Sequence, residues 1–148
     1  MSYDPRQGYP RVVPVLAYED VAAAIVWLSS AFGFREVLRW NDPSGVARVA
    51  ELDSDGGAVM LESREGASHS HGCHFVLVMV DHVDEHFQRA REAGAKVIAE
   101  PEDKPWGLRQ YRVEDPGGHR WEFSQHLRDV RPEDWGATPA PLGGPAVP

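Results

Sequence analysis

The chain contains a single cysteine, Cys73. This excludes an intrachain disulfide and any zinc site built on several cysteines. Beside a strand-forming run, a lone cysteine reads as a small, reduced packing residue. Long hydrophobic runs are also missing. No apolar stretch approaches the length of a membrane span, and no basic-then-apolar leader opens the sequence. These absences set the expectation of a cytoplasmic protein without a membrane partner. Basic residues are outnumbered, 15 against 23 acidic ones, for a net charge of -8. That argues against nucleic acid as a partner and favours cationic ones, although an acidic surface also serves solubility. No glycine-rich loop is built to cradle phosphate. Ser124 and its neighbouring histidines lack the activating base and oxyanion donors that a serine hydrolase needs.

What is present suffices for one domain: 148 residues, 42% of them hydrophobic. After a polar arm over residues 1–10, residues 12–18 form an apolar run suited to a strand. Pro14 lacks an N–H, which confines that strand to a sheet edge or interrupts its pairing. Asp20 is a good N-cap, Val21, Ala24, Ile25, Leu28 and Phe32 follow at helical spacing, and Gly33 is placed to end the helix. Residues 35–41, 46–52 and 58–62 read as three strands separated by turn-rich segments. A polar connection over 63–72 follows. The order then repeats: a strand over 73–80, a helix capped by Asp81 with Val83, Phe87 and Ala90 on its buried stripe and Gly94 at its end, a short strand over 96–100, and a hairpin over 111–126. The hairpin turns at Asp115-Pro116-Gly117-Gly118, where proline presets φ and glycines accept positive φ.

The repeat shows in the numbering. Asp20 and Asp81 are 61 residues apart, Gly33 and Gly94 also 61, and Glu62 and Glu122 are 60 apart. The fold class expected is α+β: tandem βαβββ units, over residues 11–63 and 72–126. Residues 127–148 hold five prolines and three glycines and should lack regular structure. Trp135 within them reads as a packing anchor.

A tandem strand–helix–three-strand unit ending in Asp115-Pro116-Gly117-Gly118-His119-Arg120-Trp121-Glu122 resembles the glyoxalase / bleomycin-resistance / extradiol-dioxygenase superfamily, also called vicinal oxygen chelate. The resemblance covers about residues 12–126. It implies two curved four-stranded sheets enclosing a cavity, and a homodimer, since many members are dimers. Family enzymes hold a divalent metal with side chains from the first and last strands of each unit. By position these are Val13, Glu62, His74 and Glu122. His74 lies 61 residues after Val13, the offset of the helix caps. His, Glu and Glu suit a borderline or hard divalent ion; Val13 cannot ligate one.

If the hairpin loop has an even number of residues, Arg109, Tyr111 and Val113 share the face of Glu122. Val76 and Val78 then join His74 on that face, with Val13 and Val15 on the first strand, and Arg109 or Arg120 could neutralise Glu122 as an ion pair. Trp106, in a proline-bounded loop that borders the cavity in the family, is suited to stacking on a flat ligand. Trp40, beside a turn, is a second aromatic candidate. His69 and His71 sit in the polar connection. His82 and His86 share a helix face but lack the order of a zinc-protease helix, and read as a solvated face.

Two functions follow. The first is a metal-independent binding protein of the bleomycin-resistance type, sequestering a planar or cationic small molecule among Trp106, Tyr111, Arg109, Val15, Val76 and Trp40. The second is a metal-dependent lyase, isomerase or dioxygenase, with His74, Glu122 and Glu62 at a divalent metal and Glu62 as a general base if it is freed from the ion. The lost ligand at Val13 places the binding protein first, with no metal cofactor.

Overall fold

The computed structural model describes residues 10, 12–67 and 75–139. The chain order is β1 (Val15–Tyr18), α1 (Val21–Phe32), β2 (Arg35–Asn41), β3 (Ala47–Asp53), β4 (Ala58–Ser63), β5 (Val76–Met79), α2 (Val83–Glu92), β6 (Lys96–Asp103), β7 (Leu108–Glu114) and β8 (Arg120–His126). Two four-stranded mixed sheets result, ordered β1-β4-β3-β2 and β5-β8-β7-β6. In each, the first strand runs parallel to the last and the remaining pairs are antiparallel. This is the α+β tandem that the repeat predicts. Pro14 lies just before edge strand β1, and its carbonyl accepts from Met60 N–H (2.9 Å).

The first helix forms as its caps dictate. The Asp20 carboxylate accepts from Ala23 N–H at 3.0 Å, and Gly33 ends the helix at φ 76°. The second helix departs from expectation. His82, not Asp81, is its N-cap residue and offers no capping hydrogen bond; Gln125 of β8 instead accepts from Val83 N–H at 2.9 Å. A cap contributed from another strand leaves no local sequence signal.

Helices α1 and α2 share one continuous core with the inner faces of both sheets. Phe32 of the first unit packs on Phe123, Trp121, Phe34 and Trp27, with ring centroids 4.7–5.7 Å apart. The helix ends satisfy each other. Arg89 of α2 donates to the carbonyls of Ser30 (2.8 Å) and Ser29 (3.1 Å), and Trp27 of α1 donates to the carbonyl of Ala93 (3.1 Å). The Ser29 carbonyl also accepts from Gly33 N–H, whereas those of Ser30 and Ala93 are among the carbonyls a helix terminus leaves without a partner in its own helix.

His86 also belongs to this junction rather than to a solvated face. Its Nε2–H donates to the Phe32 carbonyl (3.0 Å), which leaves Nδ1 to accept from the Tyr111 hydroxyl (2.5 Å). Burial is the main force pushing its pKa down, to about 4, with Arg89 adding to it and the Phe32 carbonyl opposing. The folded state therefore binds fewer protons than the unfolded chain, whose histidine titrates near 6.5. Stability from this group is complete above pH 6.5 and lost as pH falls towards 4, on the order of 3 kcal/mol in all. Urea midpoints measured from pH 7.5 to 4.5 should fall more steeply for the native chain than for His86→Leu. Parallel slopes would mean that His86 does not control the acid transition.

Candidate functional site

The β7–β8 hairpin decides which side chains meet. Its last ladder pair is Glu114 with Arg120, so the loop holds five residues, 115–119. An odd loop pairs residues of equal parity, and a shift of one residue sends each side chain to the opposite face. The even-loop arrangement is therefore corrected. Arg112, not Arg109, Tyr111 or Val113, stands opposite Glu122, with Gln110 opposite Ser124. Tyr111, Val113, Trp121 and Phe123 are fully buried on the helix side. Burial there pushes the Tyr111 hydroxyl pKa well above its usual value.

The outer face carries a connected polar strip. The Trp106 indole N–H donates to Gln110 Oε1 (3.0 Å). Gln110 Nε2 donates to Glu122 Oε1 (3.0 Å) and Ser124 Oγ (2.7 Å). Arg112 Nε donates to Glu122 Oε2 (2.5 Å). With a donor on one end of its amide and acceptors on the other, Gln110 has a single satisfactory orientation. Charge-assisted bonds to both Glu122 oxygens hold the carboxylate, whose side chain is 13% exposed. The Arg112 guanidinium also lies 4.4 Å above the Phe75 ring. Strand β5 sets Leu77 beside Glu122 and Met79 beside Ser124, each about half exposed. Phe75, Leu77, Met79 and Trp106 thus border the strip with apolar surface.

The other candidates are placed as follows. Arg109 points to the helix side and pairs with Asp84 (2.9 Å) and Asp103 (2.8 Å). Val76 lies opposite Trp121 and packs partly buried against the core. Val15 and Trp40 are exposed, and the register sets both on the face of Glu62 in the first sheet. Glu62 itself pairs with Arg64 at 2.7 Å, both well exposed. His74, His69, His71 and Cys73 lie outside the described residues. Two of the candidate metal ligands, Glu122 and Glu62, are each ion-paired, with Arg112 and Arg64. Val13 offers no lone pair, and each carboxylate already holds a guanidinium, whose charge repels a dication. Among the described residues no three His, Cys, Asp or Glu side chains converge.

Sequence reasoning missed Gln110, Arg112, Phe75, Leu77 and Met79. Counting five loop residues rather than an even number would have found the first two. Among its described residues the expected structureless tail holds a 3-10 turn, Pro132–Trp135, whose Trp135 packs on Trp106 with centroids 5.6 Å apart. A hollow of about 270 Å³ lies elsewhere, between α1 and the 115–117 turn, and contains none of the strip residues.

The family model described as Glyoxalase/Bleomycin resistance protein/Dioxygenase superfamily matches residues 11–123. TioX from Micromonospora sp. ML1 is 46% identical, over 80% of this chain and 99% of that one, with a TM-score of 0.68. The uncharacterized protein Rv0887c of Mycobacterium tuberculosis is 34% identical over 135 residues, covering 84% of this chain and 79% of the relative. The genomically encoded fosfomycin resistance protein FosX from Listeria monocytogenes is 14% identical, over 80% and 93% of the two chains, with a TM-score of 0.63, a likeness of fold alone. A tandem βαβββ fold, the closing motif at Glu122 and these matches together place the chain in the glyoxalase/bleomycin resistance protein/dioxygenase superfamily.

Proposed function

We propose that the chain is a metal-independent small-molecule binding protein of the bleomycin-resistance type. It sequesters a planar ligand, cationic ones being favoured by the net charge of -8, against the outer face of its second sheet. The observation that carries this reading is the occupation of Glu122. At the position where a family enzyme would use a free carboxylate, both oxygens are bound, by Arg112 and Gln110. What remains is a charge-compensated floor bordered by Phe75, Leu77, Met79 and an indole, a surface for stacking and apolar contact rather than for polarising a carbonyl.

The site is completed in a homodimer. Both sheets turn apolar side chains outward, Val15, Leu38 and Trp40 on the first and Leu77 and Met79 on the second, each 39–56% exposed. Apposition of the first sheet of one chain to the second sheet of another buries them and encloses the strip.

Metal analysis of protein purified without chelator, combined with ligand titration, tests the reading. The expected result is no stoichiometric metal, and binding of a planar cation such as acridine orange that weakens roughly tenfold in Trp106→Ala. Stoichiometric zinc, nickel, manganese or iron that disappears in Glu122→Ala would replace this reading with a metal-dependent enzyme.

A further inference from the structure

The segment after β8 lies beyond the residues that the family model matches, 11–123, yet it is built onto the site. Leu127 and Arg128 N–H donate to the Gly107 carbonyl (2.9 and 3.3 Å), immediately beside Trp106. Gly107 has φ +88°, and a Cβ there would stand 2.2 Å from the Arg128 carbonyl oxygen. Only glycine permits so close a backbone crossing. The chain then turns through Pro132–Trp135, closed by Gly136 at φ 93°. That turn brings Trp135 against Trp106 at an interplanar angle of 60°. The two indoles are 41% and 39% exposed, so they form an open corner rather than a sealed contact. Trp106 is in turn held by Gln110, the hub of the polar strip.

We propose that Trp135 is a ligand-binding residue: the turn Pro132–Trp135 supplies the second wall of an aromatic corner that takes one flat, cationic heteroaromatic ring. The inference rests on the site read above and adds to it a residue from outside the family match. The geometry supports a ring stacked on one indole and met by the edge of the other, the two arrangements aromatic pairs prefer. Asp134 of the same turn is paired with Arg131 (3.2 Å), which leaves the Glu133 carboxylate to favour positive charge on that ring. Gly107 and Gln110 act here as positioning residues.

The test uses the full chain and the fluorescence polarisation of acridine orange, which does not depend on tryptophan emission. Trp135→Ala should weaken dye binding roughly three- to tenfold, while Trp135→Phe stays within about twofold of the native chain. The thermal midpoint of Trp135→Ala should stay within about 2 °C of native, as for other exposed positions. Tetraethylammonium, a cation without a ring, should not displace the dye. If Trp106→Ala weakens binding but Trp135→Ala does not, Trp135 only packs and the proposal is overturned. Tighter binding in Trp135→Ala would make the turn a lid, which also overturns it, as would displacement by tetraethylammonium. If neither tryptophan matters, the site reading itself has failed.

Discussion

Replacing Asp115 with alanine should cost the folded state about 3–5 kcal/mol, the largest loss expected from a single polar side chain in this protein. Asp115 is 4% exposed and sits at the start of the hairpin turn. Its carboxylate accepts from the Tyr18 hydroxyl (2.6 Å), the Trp121 indole N–H (3.0 Å) and the His119 backbone N–H (2.9 Å). Tyr18 belongs to β1 of the first unit, so this carboxylate ties the two units together. Burial, then the neighbouring negative charge, raises the Tyr18 pKa far above its usual value, so the hydroxyl remains the donor. Truncation strands three donors at once. Tyr18→Phe removes one bond to a charged group and should cost about 1.5–3 kcal/mol. Because the two share a contact, the double variant should lose less than the sum of the singles. Urea denaturation measures all three. A loss below about 1 kcal/mol for Asp115→Ala would show that water replaces the lost acceptor.

The second large effect concerns assembly. Leu77→Glu should weaken self-association at least a hundredfold, converting dimer to monomer, because a carboxylate would be trapped unpaired in an apolar interface. Leu77 is 51% exposed and stands in register with Glu122, so the single chain can solvate the new charge while the dimer cannot. Val26→Glu, at a position 67% exposed on α1, is the matched control and should leave the dimer intact. Sedimentation equilibrium separates the outcomes. A native chain that is already monomeric, or a Leu77→Glu chain that remains dimeric, would remove these outer faces as the subunit interface.

Much of the fold was legible in the sequence, and the reasons are local. Asp20 and Gly33 bracket α1 because a carboxylate and an αL glycine act within one turn of their own helix. The duplicated spacing announced the tandem because each unit repeats the same local signals. The boundary of α2 was misread for the opposite reason. Its first amide is satisfied by Gln125, 42 residues away, and Asp81 merely precedes it. His86 was likewise placed in solvent by its helix position. In the structure the Phe32 carbonyl and Tyr111 hydroxyl hold it at the junction of the units.

The candidate site was legible in outline only. Glu122 and Trp106 were marked by motif and loop, and both occur in the polar strip. Their partners were assigned to the wrong face through a single residue of loop length, since the period of a strand is two and one step inverts it. Tyr111 went from ligand wall to core, and Arg112 and Gln110 took its place beside Glu122. Trp135 could be read as an anchor but not assigned a partner, because the Gly107 crossing that brings it to Trp106 is a tertiary contact.

By itself, then, the sequence determined the duplicated βαβββ order, the ends of α1 and the motif that closes the second unit, each carried by residues that act on their near neighbours. The tertiary structure alone decided that Glu122 faces a guanidinium rather than an open corner, and which indoles stand together. Those choices depend on strand register and on contacts between distant segments, where a one-residue shift reverses a face and no local signal records it.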